Sequence, residues 1–295
     1  MSSTAYELTP LDSAQRGRGP FVWRFSLYHR VTHAAVMISF FLLAATGLPL
    51  RFSCAPWAPL WIRLFGGVEM AGLLHRVGAV ITFGYFLAHV SFLTYKFART
   101  EDKMSLLWGP NSLVPQPRDA TDMLAQFRWF FGLGPKPTFA RFSYMEKFDY
   151  LAVFWGVAVI GGSGLLLWFP EFFGQFLPGV LFNVAAIVHA DEAVLAMSFI
   201  FTIHFFNVHL RPEKFPLDAV MFTGRATVHY MEEEHGLIMD QIQPHLKSAP
   251  SDNQITDTLA PPPTHRQSIF AAVLGFIALG IGLLLAGMML WTALC

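Results

Sequence analysis

The sequence predicts an all-α integral membrane fold: a bundle of four transmembrane helices followed by a fifth, C-terminal one. Three observations carry that reading. Of 295 residues, 54% are hydrophobic and only 14% charged, outside the range of soluble domains. Five apolar runs, about 30–50, 73–95, 148–169, 187–208 and 269–294, reach the roughly 20 residues a helix needs to cross a bilayer. In lipid, helix is the state that satisfies the backbone of an isolated run within the run itself. Third, 7 of the 11 histidines lie in or at the ends of the first, second and fourth runs.

The elements follow in order. Residues 1–29 form a polar N-terminal segment, and the run after it is a full-length span without a small-residue cleavage site, so no cleavable signal is expected. Residues 30–210 make the four-helix domain, interrupted by the loop 96–147. That loop is too polar and proline-rich to span, but Met123–Leu133 reads as an amphipathic stretch that lies on a membrane face. Gly156, Gly161, Gly162 and Gly164 in the third run suit close helix approach or are ordinary small residues of a span. Residues 211–267 hold a polar segment and a Ser/Asp/Pro-rich linker ending at Pro261-Pro262-Pro263, which reads as flexible. The fifth helix, 268–295, is therefore expected to lie outside the functional bundle, with Gly275, Gly280, Gly282 and Gly287 turned to a partner helix.

Charge sets orientation and excludes some functions. Lys and Arg number 4 in residues 1–30, 8 in 96–147 and 5 in 211–267, against 2 in 51–72 and none in 170–188 or after 268. By the positive-inside rule the N-terminus is cytoplasmic and the C-terminus lies outside, in the periplasm of a bacterial inner membrane. A formal net charge of zero gives no sign of nucleic acid as a partner. The two cysteines, Cys54 and Cys295, allow one disulfide at most. There is no C-x-x-C-H motif for covalent haem, and there are too few thiolates for an iron–sulfur cluster.

The histidines carry the chemistry. An ionisable group inside a span is costly and marks a functional candidate. His75 and His89 are 14 residues apart in the second run, and His189 and His204 are 15 apart in the fourth. At the helical rise these separations are about 21–22 Å, each pair on roughly one face. The two runs point the same way, so His75 is level with His189 near the outside, and His89 with His204 near the cytoplasm. The first run is antiparallel and brings His33 to the cytoplasmic level, with His29 one turn below. Two levels of facing imidazoles in a bundle core are what two stacked b-type haems require, because each iron takes a ligand on either face. Histidines lining a proton path or bonding helices together are the plainer alternative. Zinc fits less well, since no Cys or Asp ligand lies at a usual spacing.

The order of several short motifs sharpens this. Arg30-Val-Thr-His33 precedes an apolar run to Thr46-Gly47, and Leu73-Leu-His75 follows. Glu146-Lys147 stands before the third run and Ser163-Gly164-Leu165 within it; Val188-His189-Ala190 and Ile203-His204 occupy the fourth. Thr223-Gly224-Arg225 and Glu234-His235 come after. Over residues 20–245 the chain resembles the membrane cytochrome b (gamma) subunit of respiratory formate dehydrogenase, with its kin in thiosulfate reductase and nickel–iron hydrogenase. The resemblance implies that His33 with His204 and His75 with His189 hold two haems. It implies that the chain passes electrons between membrane quinone (menaquinone or ubiquinone) and a periplasmic partner, a multihaem c-type cytochrome or an iron–sulfur subunit, beside other membrane subunits. It implies a quinone site at the start of the third span, with Tyr144, Glu146, Lys147 and Asp149, where Glu and Lys relay protons or simply snorkel at the interface. Arg30, with Trp23 and Arg24, is expected near anionic haem propionates or serves as an ordinary interfacial cation.

The chain departs from that pattern. Ala34 follows His33 where the family often has tryptophan. His89 and His209 are additional, and the spacings 14 and 15 also resemble the cytochrome b of bc and b6f complexes, in which His89 would pair with His204. A third haem on His89 and His209 is a further alternative, although five α-helical residues turn His209 well away from His204. Asp191 and Glu192 next to His189 are either a solvated mouth or proton acceptors. His229, His235, His245 and His265 are expected at the surface. A histidine-lined proton channel or transporter, or a membrane anchor without quinone chemistry, are the rival functions.

Overall fold

The computed structural model describes residues 20–212, 214–242 and 259–294. The fold is all-α with one small sheet, and it is a multi-pass membrane architecture: five helices are long and apolar enough to cross a bilayer. They are Leu27–Arg51, Val68–Arg99, Tyr144–Trp168, Val180–Leu210 and the helix His265–Leu294. Most begin or end several residues beyond the apolar runs. Helical hydrogen bonding continues through charged ends such as Lys96 and Arg99, which a purely apolar reading cuts off.

The chain divides into two compact units. The helical unit, 27–101 with the described parts of 148–222 and 269–294, holds most of the length of the spans. Its core joins Ala44 and Leu48 of the first span to Met197, Phe201 and Phe205 of the fourth, and to Leu285 and Met288 of the fifth. Between the first two spans Gly78 lets Leu43 lie against bare backbone. The fifth helix is thus part of this unit and not an appendage outside the bundle, as the linker's composition suggested. A Cβ at Gly282 would run into the ring of Phe205, and one at Gly275 into Leu217. Trp57 Nε1 also donates to Thr292 Oγ1 at 3.0 Å. Gly275 and Gly282 therefore serve the chain's own packing, while Gly280 and Gly287 meet nothing within 4 Å.

Two spans depart from α geometry. Val157–Gly161 in the third and Ile200–His204 and Phe206–Leu210 in the fourth are π-helical. Hydrogen bonds from i to i+5 widen each turn there, so residues five apart stack nearly over one another.

The loop unit comprises 20–26, 102–147 and the described parts of 223–268. A three-stranded antiparallel sheet, in the order β2–β1–β3, knits it together. β1 (Phe21–Trp23) pairs β2 (Arg225–Thr227) with Trp23 opposite Arg225, and β3 (Leu259–Ala260) on its other edge. The Arg225 guanidinium lies 4.6 Å from the Trp23 ring centre. Gly224, at a φ of 77°, makes the left-handed turn into β2 and offers its carbonyl to the Arg24 and Phe25 amides at 2.9 and 3.1 Å. Thr227 then caps the helix Val228–His235 by accepting from the Tyr230 amide. The segment after the fourth span is therefore folded where it is described; most of the expected flexible linker falls outside the described residues.

The amphipathic helix of the loop runs Pro117–Phe130, six residues earlier than the apolar pattern alone suggested. Pro117 at its first position and a capping box between Gln116 and Asp119 account for the early start. Leu124, Phe127 and Phe130 project outward and Gln126 inward.

Candidate functional site

The centre of interest is a pair of imidazoles. The rings of His75 and His189 stand 6.1 Å apart, centre to centre, inclined at 68°. Each is fixed at Nδ1. Thr46 Oγ1 donates to Leu42 O at 2.6 Å, so its oxygen accepts from His75 Nδ1 at 3.0 Å. His189 Nδ1 donates to Ile160 O at 2.9 Å, with Ser163 Oγ at 3.4 Å. A carbonyl can only accept, so the proton is on Nδ1 and the Nε2 lone pair is left for a Lewis acid.

This arrangement fits an iron held between two histidines. With metal–nitrogen bonds of about 2 Å and each ligating nitrogen about 1 Å from its ring centre, two imidazoles on one metal have centres about 6 Å apart. An Nδ1–H bond to carbonyl or hydroxyl is the usual outer partner of a ligating histidine. Glycine permits the rings to lie close to the helices behind them. A Cβ at Gly47 would be 3.3 Å from His75 Cε1, and one at Gly164 would be 3.0 Å from His189 Cε1. Among the described residues no group of three His, Cys, Asp or Glu side chains converges.

The second group is His33, His204 and His209. His33 lies within electrostatic reach of both others. His204 Nδ1 bonds Asp149 Oδ2 at 2.7 Å. This is again an outer acceptor that leaves Nε2 available, here a carboxylate. The π-helical turns bring His204 and His209 toward one side of the fourth span, correcting the α-helical expectation that they diverge. Yet His209 Nδ1 accepts from the Asp218 amide at 3.3 Å. In a neutral ring its proton is therefore on Nε2, the reverse of His75, His189 and His204.

His89 has both nitrogens engaged. Tyr28 Oη is 2.8 Å from Nδ1 and Tyr150 Oη 2.9 Å from Nε2. To bind a metal it would have to give up one of these phenols.

The residues expected at a quinone site each have partners of their own. Tyr144 packs edge-on against Phe139. Glu146 closes a capping box with Ser143, accepting from its amide and hydroxyl at 2.8 and 2.9 Å, and pairs with Arg24 at 2.9 Å. Lys147 is buried and pairs with Asp119 at 2.8 Å. Neither residue snorkels, because the third span begins inside the folded loop. Lys147 and Asp119 instead line a cavity of about 240 Å³, with Trp108, Arg118, Asp122 and Phe142; burial raises the Asp122 carboxyl above its ordinary value. Arg30 is committed to the backbone, donating from Nε and Nη2 to Phe222 O at 3.0 and 2.6 Å.

Two further observations concern charge. His235 is buried, not a surface residue, and its Nδ1 donates to Ala140 O at 2.7 Å. Burial, then the neighbouring Arg24 cation, lowers it to about 4. His245 lies outside the described residues. Asp191 is half exposed and pairs with Arg51 at 2.9 Å, while Glu192 accepts from Trp155 Nε1 at 3.3 Å.

Sequence reasoning missed the Asp149–His204 bond and the two tyrosines on His89. An ionisable residue and phenols within a span each need a partner, which was the available signal. Compared with known proteins, the chain matches no family model and no curated sequence.

Proposed function

We propose that this chain is a dihaem b-type cytochrome, the membrane subunit of a respiratory complex that exchanges electrons with the quinone pool. The observation that carries the reading is the His75–His189 pair: ring centres 6.1 Å apart, both Nδ1 atoms bonded to acceptors, both Nε2 lone pairs available. His33 with His204 is the second pair, supported by their mutual electrostatic reach and by Asp149 behind His204. Bound haem iron would supply one-electron transfer. The protein's part is to orient four imidazoles by second-partner bonds and to keep water from them within an apolar bundle.

The rest of the reading follows from charge and from the resemblance. The lysine- and arginine-rich N-terminus and loops lie in the cytoplasm of a bacterial inner membrane, and the C-terminus lies in the periplasm. The electron partner is a separate periplasmic multihaem c-type cytochrome or iron–sulfur subunit, held with other membrane subunits. The quinone, menaquinone or ubiquinone, takes or gives protons on the cytoplasmic side. Of the four residues first considered for its site, Lys147 is the one that lines the cavity beside Asp119.

The test is haem content and ligand loss on the purified chain. Two b haems by pyridine haemochrome, one of them lost in His75→Ala and in His189→Ala, supports the proposal. A haem-free chain overturns it.

A further inference from the structure

The loop helix Pro117–Phe130 has its amphipathicity inverted. At 100° per residue its apolar side chains, Ala120, Met123, Leu124, Phe127 and Phe130, fall within a stripe about 120° wide. A helix of a unit folded in water buries such a stripe and turns its polar side outward. Here the polar side is the covered one. Gln126 is 6% exposed, Asp119 is held by Lys147 at 2.8 Å and Asp122 by Arg118 at 3.5 Å. Met123, Leu124, Phe127 and Phe130 are instead 40%, 59%, 51% and 53% exposed, and Ala120 is exposed with them. Phe131 and Leu133, on either side of the left-handed turn at Gly132, are more exposed still.

An apolar surface of this kind marks an interaction, and chain continuity says what meets it. The second span ends at Arg99 and the third begins at Tyr144. Consecutive spans open on the same side of a bilayer, so residues 100–116 and 131–143 tether the helix at both ends to one membrane face. The stripe carries no hydrogen-bonding side chain and therefore suits an apolar phase better than a directional partner. Charge agrees. The loop 96–147 carries 8 Lys and Arg against 5 Asp and Glu. The exposed Arg128 stands one turn from Leu124 at the border of the stripe, where a lipid phosphate would meet its guanidinium.

We propose that Pro117–Phe130 docks on the lipid surface from which its loop emerges, with its axis along the membrane plane. Met123, Leu124, Phe127 and Phe130 sink about 5–10 Å into the headgroup–acyl boundary, and Arg128 lies among the phosphates. The opposite side of the helix, through Asp119 and Lys147, then braces the first turn of the third span against an element that is itself anchored in lipid. The docking follows from the stripe and its tethers alone and holds whether or not the chain carries haem.

The test uses the full chain with Cys54→Ser and Cys295→Ser, in nanodiscs of phosphatidylcholine and phosphatidylglycerol. Arg118→Cys, Met123→Cys, Leu124→Cys, Phe127→Cys and Phe130→Cys are made one at a time and labelled with bimane; each side chain is exposed enough to be replaced without disturbing the fold. Lipids spin-labelled close to the headgroup should quench the last four and spare Arg118→Cys, and aqueous iodide should do the reverse. Adding Phe127→Glu and Phe130→Glu should bring the label of Met123→Cys out to iodide while circular dichroism stays unchanged. A stripe quenched by iodide and not by lipid overturns the docking and leaves the face open for another protein. A stripe shielded from both quenchers, with two chains in each disc, overturns it in favour of a second copy. Equal quenching at all five positions, or lipid quenching that survives the two glutamates, also overturns it.

Discussion

Thr46 and His75 face each other across the first two spans with Oγ1 and Nδ1 3.0 Å apart, and the threonine's own proton is committed to Leu42 O. The pair therefore fixes which nitrogen of His75 is free. Thr46→Val keeps the shape and removes the acceptor. If His75 is a ligand, haem at this site should bind about 10–100-fold more weakly, while the other haem is unaffected. Haem titration of the variant, resolved by the two spectral components, checks this.

Asp149 stands behind His204 in the same role but carries charge. Asp149→Asn should weaken electron donation by His204 and raise the midpoint potential of its haem, leaving the His75–His189 haem in place. A spectroelectrochemical titration reads both potentials in one experiment. Equal shifts in both, or none, would count against the assignment.

Gly164 lies against the His189 ring with no room for a side chain. Gly164→Val should push the ring off its position, destabilising the protein by about 1–3 kcal/mol through overpacking and removing one haem. Gly280→Val on the fifth span, where a Cβ meets nothing within 4 Å, should change neither. Haem stoichiometry and thermal unfolding distinguish the two variants.

The packing of Gly282 over Phe205 makes the fifth helix a stabilising element of the helical unit. Gly282→Leu should lower the unfolding temperature in detergent, by the equivalent of about 1–3 kcal/mol. An unchanged melting curve would mean the helix is a detachable tether after all.

His235 predicts a pH dependence. Its pKa in the fold is lowered to about 4, against about 6.5 in an unfolded chain. Between those values the unfolded chain binds the extra proton, so the stability His235 contributes is complete above pH 6.5. It is lost as pH falls toward 4. Melting curves at pH 7 and pH 5 should show acid destabilisation of the loop unit, smaller in His235→Gln.

The existence of five spans was legible because apolar length is a direct consequence of bilayer thickness, and the level of His75 with His189 followed from helical rise alone. Other features needed the coordinates. The π-helical turns at Ile200–His204 and Phe206–Leu210 leave no mark in hydropathy, yet they decide which way His209 points. Glu146 and Lys147 read as interfacial charges because composition does not show that Ser143 and Asp119 are folded against them. The polar segment after the fourth span looked like a tail, since β1 and β2 are three residues each and too short for an alternation pattern to stand out.

The central claim is that facing histidines in the spans hold two b-type haems. A reduced-minus-oxidised spectrum with pyridine haemochrome quantitation on the purified, membrane-extracted chain tests it most directly. The account predicts two b haems per chain, falling to one in His75→Ala and retained in His89→Gln. A chain with no haem would contradict it and leave a histidine-lined membrane protein of another function.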